Sequence, residues 1–135
     1  MRGRPQPLLL PNLGFCALFL YAMSVQFDDP DSIRWISIYA AAALATQLWG
    51  RAFFGTLFAA LVGATAAIWA AALYASLPRW PSRAEIFTTR PMTGDEVEVT
   101  REALGLTIVA VWMSLLVILA LRRRSRSRPN ASALP

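Results

Sequence analysis

The sequence contains no histidine, no lysine and a single cysteine, Cys16. Without histidine, the commonest general base and the usual ligand of zinc and haem iron are missing. Cys16 lies inside an apolar run, so neither an internal disulfide nor a multi-cysteine metal site can form. It reads as a small buried packing group. With no lysine, the net charge of +5 rests on arginine alone. That bias, together with abundant alanine, suits a bacterium with a GC-rich genome.

Polar residues are scarce wherever the chain is apolar. More than half of the 135 residues are hydrophobic, and they come in blocks. Soluble helices show polar residues every turn, so the pattern belongs to the membrane class. Four helices are expected, at about 10–27, 32–49, 52–77 and 103–121, each near the ~20 residues that span a bilayer. Arg2 and Arg4 before the first run, with Ala22 and Ser24 near its end, also fit a cleaved signal peptide. The turn-like residues from Gln26 onward favour retention.

Between the first two runs stands Gln26-Phe27-Asp28-Asp29-Pro30-Asp31, with three of the eight acidic residues. Proline suits a first helical position, which makes Asp29 the expected N-cap and puts Asp31 in the first turn. Trp35, Tyr39 and Trp49 mark the two ends of the second helix as an interfacial aromatic belt. In the third helix Gly55, Ala59, Gly63 and Ala67, continued by Ala71 and Ala75, recur at every fourth position. Such a stripe lets helix backbones approach closely in lipid, and it reads as an internal packing seam. Residues 78–102 form a polar outer loop, in which Thr93 and Glu96 have capping-box spacing, so a short helical extension is expected to begin there and run into the membrane. Glu98 and Arg101 are spaced to pair on that extension. Residues 122–135 read as a basic, disordered tail.

Four helices put both termini on one side. That side carries Arg2, Arg4, Arg51 and the five tail arginines, while all eight acidic residues fall on the other. The positive-inside rule then places the termini in the cytoplasm. The fold expected is an all-α, antiparallel, integral membrane four-helix bundle, multi-pass in a bacterial inner membrane. Asn130-Ala131-Ser132 matches a glycosylation acceptor but would be inert there.

Asn12 followed by Gln26, the Asp-Pro-Asp turn, Trp35 and Tyr39 resembles the transmembrane protein 220 family of small membrane proteins. Arg101-Glu102, Gly105 and Trp112 in the last helix carry a second part of the resemblance. The sequence departs from the family at Asp28, where asparagine is usual. The resemblance implies a four-helix membrane protein and no particular reaction. On the topology above, Asp28, Asp29, Asp31, Arg34, Arg101 and Glu102 share one membrane face. With Asn12, Gln26, Trp35 and Tyr39 they make a candidate structural polar cluster, in which Arg101 pairs with a carboxylate of the turn. The alternative is a hard-cation site on Asp28, Asp29, Asp31 and Glu102.

No catalytic constellation and no cofactor motif is visible. The function expected is a structural or accessory subunit packing with a larger membrane protein or with itself. A small transporter or channel is the runner-up, although no ionisable residue lies within the apolar cores. Beyond the bilayer, anionic lipid at the basic tail is the other partner considered; nucleic acid is not expected.

Overall fold

The computed structural model describes residues 8–27, 31–49, 52–87 and 95–126. Asp28, Asp29, Pro30, Gly50, Arg51, Arg90, Thr93, the N-terminal Arg2 and Arg4 and the tail beyond Arg126 lie outside the described residues. The described residues are all-helical, without strands: α1 Leu9–Ser24, α2 Ser32–Leu48, α3 Ala52–Ser76, α4 Arg83–Phe87 and α5 Asp95–Arg126. By length and composition, Phe53–Ser76 and Glu96–Arg126 can each cross a membrane, and α1 is a shorter apolar helix.

α2 is the central element, touching α1, α3 and α5. Its small residues Ala42, Ala43 and Ala45 are buried and let its neighbours close in. The second large interface joins α3 to α5. Directions follow from the contacts. Trp49 donates its indole N–H to the Leu116 carbonyl at 2.7 Å, and Trp112 donates to Thr46 Oγ1 at 3.1 Å, so α2 and α5 run parallel. Tyr74 meets Thr107 while Gly63 meets Met113, so α3 runs antiparallel to α5. α1 reaches α5 through a ring stack, with Phe15 and Trp112 3.8 Å apart between centroids.

Several elements differ from the sequence expectation. α5 starts at Asp95, so it takes in the helical extension expected ahead of residue 103, and it continues through Arg122–Arg126, which are expected in the tail. Arginine is a good helix former, and cations suit the negative end of the helix dipole. Two of these arginines also stack on rings: Arg123 lies 4.4 Å from the Trp49 centroid and Arg124 5.4 Å from that of Phe53. α2 begins at Ser32, with Asp31 and not Asp29 at the capping position, and Asp31 makes no side-chain cap bond. Trp35, Tyr39 and Trp49 do not form a lipid-facing belt. They are buried, because α2 is enclosed by three other helices.

The small-residue stripe of α3 does not stay on one face. Gly55, Ala59 and Gly63 are buried, whereas Ala67, Ala71 and Ala75 are exposed. A step of four residues overshoots a full turn by about 40°, so Ala67 stands roughly 120° around the helix from Gly55. The seam continues instead through Val62, Ala66 and Ala70, packed in one core with Leu106, Val109, Met113 and Leu116. At Gly63 the approach to α5 is closest: a Cβ there would stand 2.8 Å from that of Met113.

Polar groups inside the helical core are largely satisfied within it. Thr46 donates to the Ala42 carbonyl at 2.8 Å while accepting from Trp112. Thr107 donates to Ala103 O at 2.7 Å and lies 3.2 Å from the Tyr74 hydroxyl. Among the described residues, Asn12 Oδ1 and Trp35 Nε1 are buried without a hydrogen-bond partner.

Candidate functional site

Charge is sorted along the long axis. Asp31, Glu96, Glu98 and Glu102 lie at the end where α2 and α5 begin, and α4 with Glu85 is tied to the same end. At the opposite end, where α2 stops and α5 finishes, stand Arg122, Arg123, Arg124 and Arg126, with no acidic side chain among the described residues.

A cleft of about 370 Å³ opens at the acidic end, lined by Val25, Gln26, Trp35, Tyr39, Glu98, Arg101 and Glu102. Three elements build it. Val25 and Gln26 belong to the turn after α1, where their amides donate to the Tyr21 and Met23 carbonyls, each at 3.2 Å. Trp35 and Tyr39 come from the first two turns of α2. Glu98, Arg101 and Glu102 come from α5, where spacings of three and four residues share one helix face.

The aromatic wall is held from behind. Trp35 is 2% exposed and stacks on Trp69 of α3 at 4.7 Å between centroids. Tyr39 projects toward α5, and its hydroxyl occupies the space that a side chain at Gly105 would need. Arg101 anchors the outer edge by donating its Nε–H to the Ile86 carbonyl at 2.9 Å, which ties α4 to α5. α4 is itself a reciprocal capping box. Glu85 N–H donates to Ser82 Oγ at 3.3 Å, and Ser82 N–H donates to Glu85 Oε2 at 2.6 Å. Arg79 donates to the same carboxylate at 3.3 Å. The Ser82 bonds, backbone first, with help from Arg79, hold the Glu85 carboxyl at a pKa of about 2.

Of the expected polar cluster, Gln26, Trp35, Tyr39, Arg101 and Glu102 come together. Asn12 does not. It lies in the first turn of α1, fourteen residues from Gln26, and helical rise separates the two by about 20 Å. Arg34 and Asp31 stand apart from the cleft, paired with each other at 3.2 Å within one exposed helical turn. Asp28 and Asp29 lie outside the described residues. Arg101 has Ile86 O among its partners. Glu98 and Arg101 form no ion pair with each other among the described residues. No three histidine, cysteine, aspartate or glutamate side chains converge on a metal-sized site among the described residues.

Sequence reading missed Glu98 as a cleft residue and Ser82-Arg83-Ala84-Glu85 as a capping box. The second carried a readable signal, serine three residues before glutamate. The cleft wall carries carboxylates, a guanidinium, a phenol and an amide.

Leu10, Phe54 and Ile68 are 78, 77 and 72% exposed, on helices apolar over most of their length. Apolar surface of that extent marks a protein covered by lipid or by a partner. The class is a small helical membrane protein. The chain belongs to the family described as Transmembrane family 220, helix, whose model matches residues 18–118. No curated protein and no solved structure matches it.

Proposed function

We propose that the chain is a multi-pass structural or accessory subunit of a bacterial inner membrane, acting through helix packing and not through catalysis. In this reading α1, α2, α3 and α5 cross the bilayer as a four-helix bundle, with both termini in the cytoplasm. The observation that carries it is the sorting of charge between the two ends of the helices, acidic at one and purely basic at the other among the described residues. Under the positive-inside rule the arginine end faces the cytoplasm. α2 is shielded by its neighbours and needs no strongly apolar surface of its own.

Support for an accessory role comes from the outward faces. Leu10, Leu13 and Leu20 of α1, and Leu61 and Ile68 of α3, are large, apolar and exposed. They offer a larger membrane protein, or a second copy of this chain, a surface that packs by shape.

A pull-down of the full chain in mild detergent, followed by mass spectrometry, tests the role. A stoichiometric membrane-protein partner, or a defined homo-oligomer, is the expected result. A monodisperse single copy under conditions that preserve known membrane complexes would overturn it.

A further inference from the structure

Two buried polar atoms lack a hydrogen-bond partner among the described residues, and one of them, Trp35 Nε1, belongs to a residue that lines the cleft at the acidic end. Trp35 is 2% exposed and is the most buried of the lining residues, so it forms the floor. An indole N–H is a donor only, and leaving a donor unpaired in a protein interior is unfavourable. The group that satisfies it must therefore be an acceptor. The α5 wall adds Glu98, Arg101 and Glu102. Two carboxylates against one guanidinium give this wall a net negative formal charge, whatever pairs form within it. Glu98 makes no hydrogen bond or ion pair among the described residues, and the Gln26 side chain makes no hydrogen bond there. Neither side chain is tied across the mouth of the cleft.

Floor and wall together select the occupant. An anion would accept from Trp35 but is opposed by the charge of the wall. A lysine or arginine side chain of a partner protein suits the wall but carries no acceptor for the indole. For a metal ion, no three suitable side chains converge among the described residues. Waters bound to such an ion turn their lone pairs toward it and away from a donor. A molecule that joins a cationic nitrogen to an uncharged oxygen meets both demands. The cleft volume of about 370 Å³ falls within the roughly 300–1,000 Å³ of small-molecule pockets. We propose that the cleft binds a small organic ammonium ion of the amino-alcohol type, its oxygen on Trp35 Nε1–H and its ammonium on Glu98. This site uses none of the outward packing surfaces and holds for either orientation in a membrane, so it stands or falls separately from the accessory role.

The test is NMR of the full chain in detergent micelles, with nitrogen-15 in the indoles of its five tryptophans. Trp35→Phe identifies the Trp35 peak. 2-Aminoethanol is titrated at constant ionic strength beside three controls. Ethylammonium lacks the oxygen, ethylene glycol lacks the charge, and phosphoethanolamine adds a phosphate that the wall opposes. 2-Aminoethanol should move the Trp35 peak downfield in a saturable way, and each control should bind at least about fivefold more weakly. Glu98→Gln, which breaks no bond among the described residues, should weaken 2-aminoethanol at least about tenfold. Should Trp35→Phe not fold, the saturable shift of an indole peak and its loss in Glu98→Gln decide the matter. Equal binding of any control, no saturable indole shift, or affinity unchanged in Glu98→Gln would each overturn the proposal. So would a Trp35 peak that already lies at a strongly hydrogen-bonded position before ligand is added, or a copurifying protein that blocks the cleft.

Discussion

The hydroxyl of Tyr39 stands where a side chain at Gly105 would begin. One residue belongs to the wall of the cleft on α2 and the other to α5, so a single atom sets how closely these parallel helices approach. Gly105→Ala should therefore destabilise the fold by about 1–3 kcal/mol, the usual cost of overpacking. Tyr39→Phe removes the atom in the way and leaves the ring carbon 3.6 Å from the new methyl, an ordinary contact. The double variant should recover most of the loss. Thermal melts of the four proteins in a double-mutant cycle give the coupling. Additive losses would mean that the two residues do not share this space.

The seam between α3 and α5 supplies a second contrast. Gly63 has only 2.8 Å between its would-be Cβ and that of Met113, so Gly63→Leu should lower folded yield and melting temperature severely. Ala67 is exposed on the same helix, and Ala67→Leu should stay within about 0.5 kcal/mol of wild type. Equal sensitivity at the two positions would mean that the stripe of small residues packs along its whole length.

Glu85 offers a titration whose sign is fixed by its partners. Its carboxyl is held at about 2 by the Ser82 bonds and Arg79. The group is depressed relative to an unfolded glutamate near 4.3. Its stabilising effect on α4 is thus fully present above about 4.3 and is lost as pH falls through about 2. Carbon-detected NMR of the Glu85 carboxyl should show this low midpoint, and Ser82→Ala should raise it. A midpoint unchanged by Ser82→Ala would remove the capping box from the account.

Much of the fold was legible because lipid-facing helices are written as apolar blocks, and the starts of α2 and α3 fell where composition changes. What the sequence concealed depends on rotation and on partners. Counting small residues at every fourth position hides a drift of about 40° per step, so Ala67 was read on the face of Gly55. Trp35 and Trp49 have the composition of an interfacial belt, but ring direction depends on how many neighbours enclose α2. The same applies to Arg101. That a backbone carbonyl of α4 takes its Nε–H is not legible, because α4 is too short to read from periodicity. Asn12 was grouped with Gln26 by resemblance, although the length of α1 keeps them apart. Arg122–Arg126 read as tail by charge alone, because the rings of Trp49 and Phe53 that help fix the last helical turn are distant in sequence.

The central claim is that the two ends of the helices face opposite sides of a membrane, the arginine end inward. Cysteine accessibility in intact cells tests this most directly, because Cys16 is the only cysteine to remove. In a Cys16→Ser background, Arg83→Cys on exposed α4 and Ser125→Cys at the end of α5 place one thiol at each end. An impermeant maleimide should label position 83 in intact spheroplasts and position 125 only after lysis. Labelling of position 125 from outside, or of both positions equally before lysis, would contradict the account.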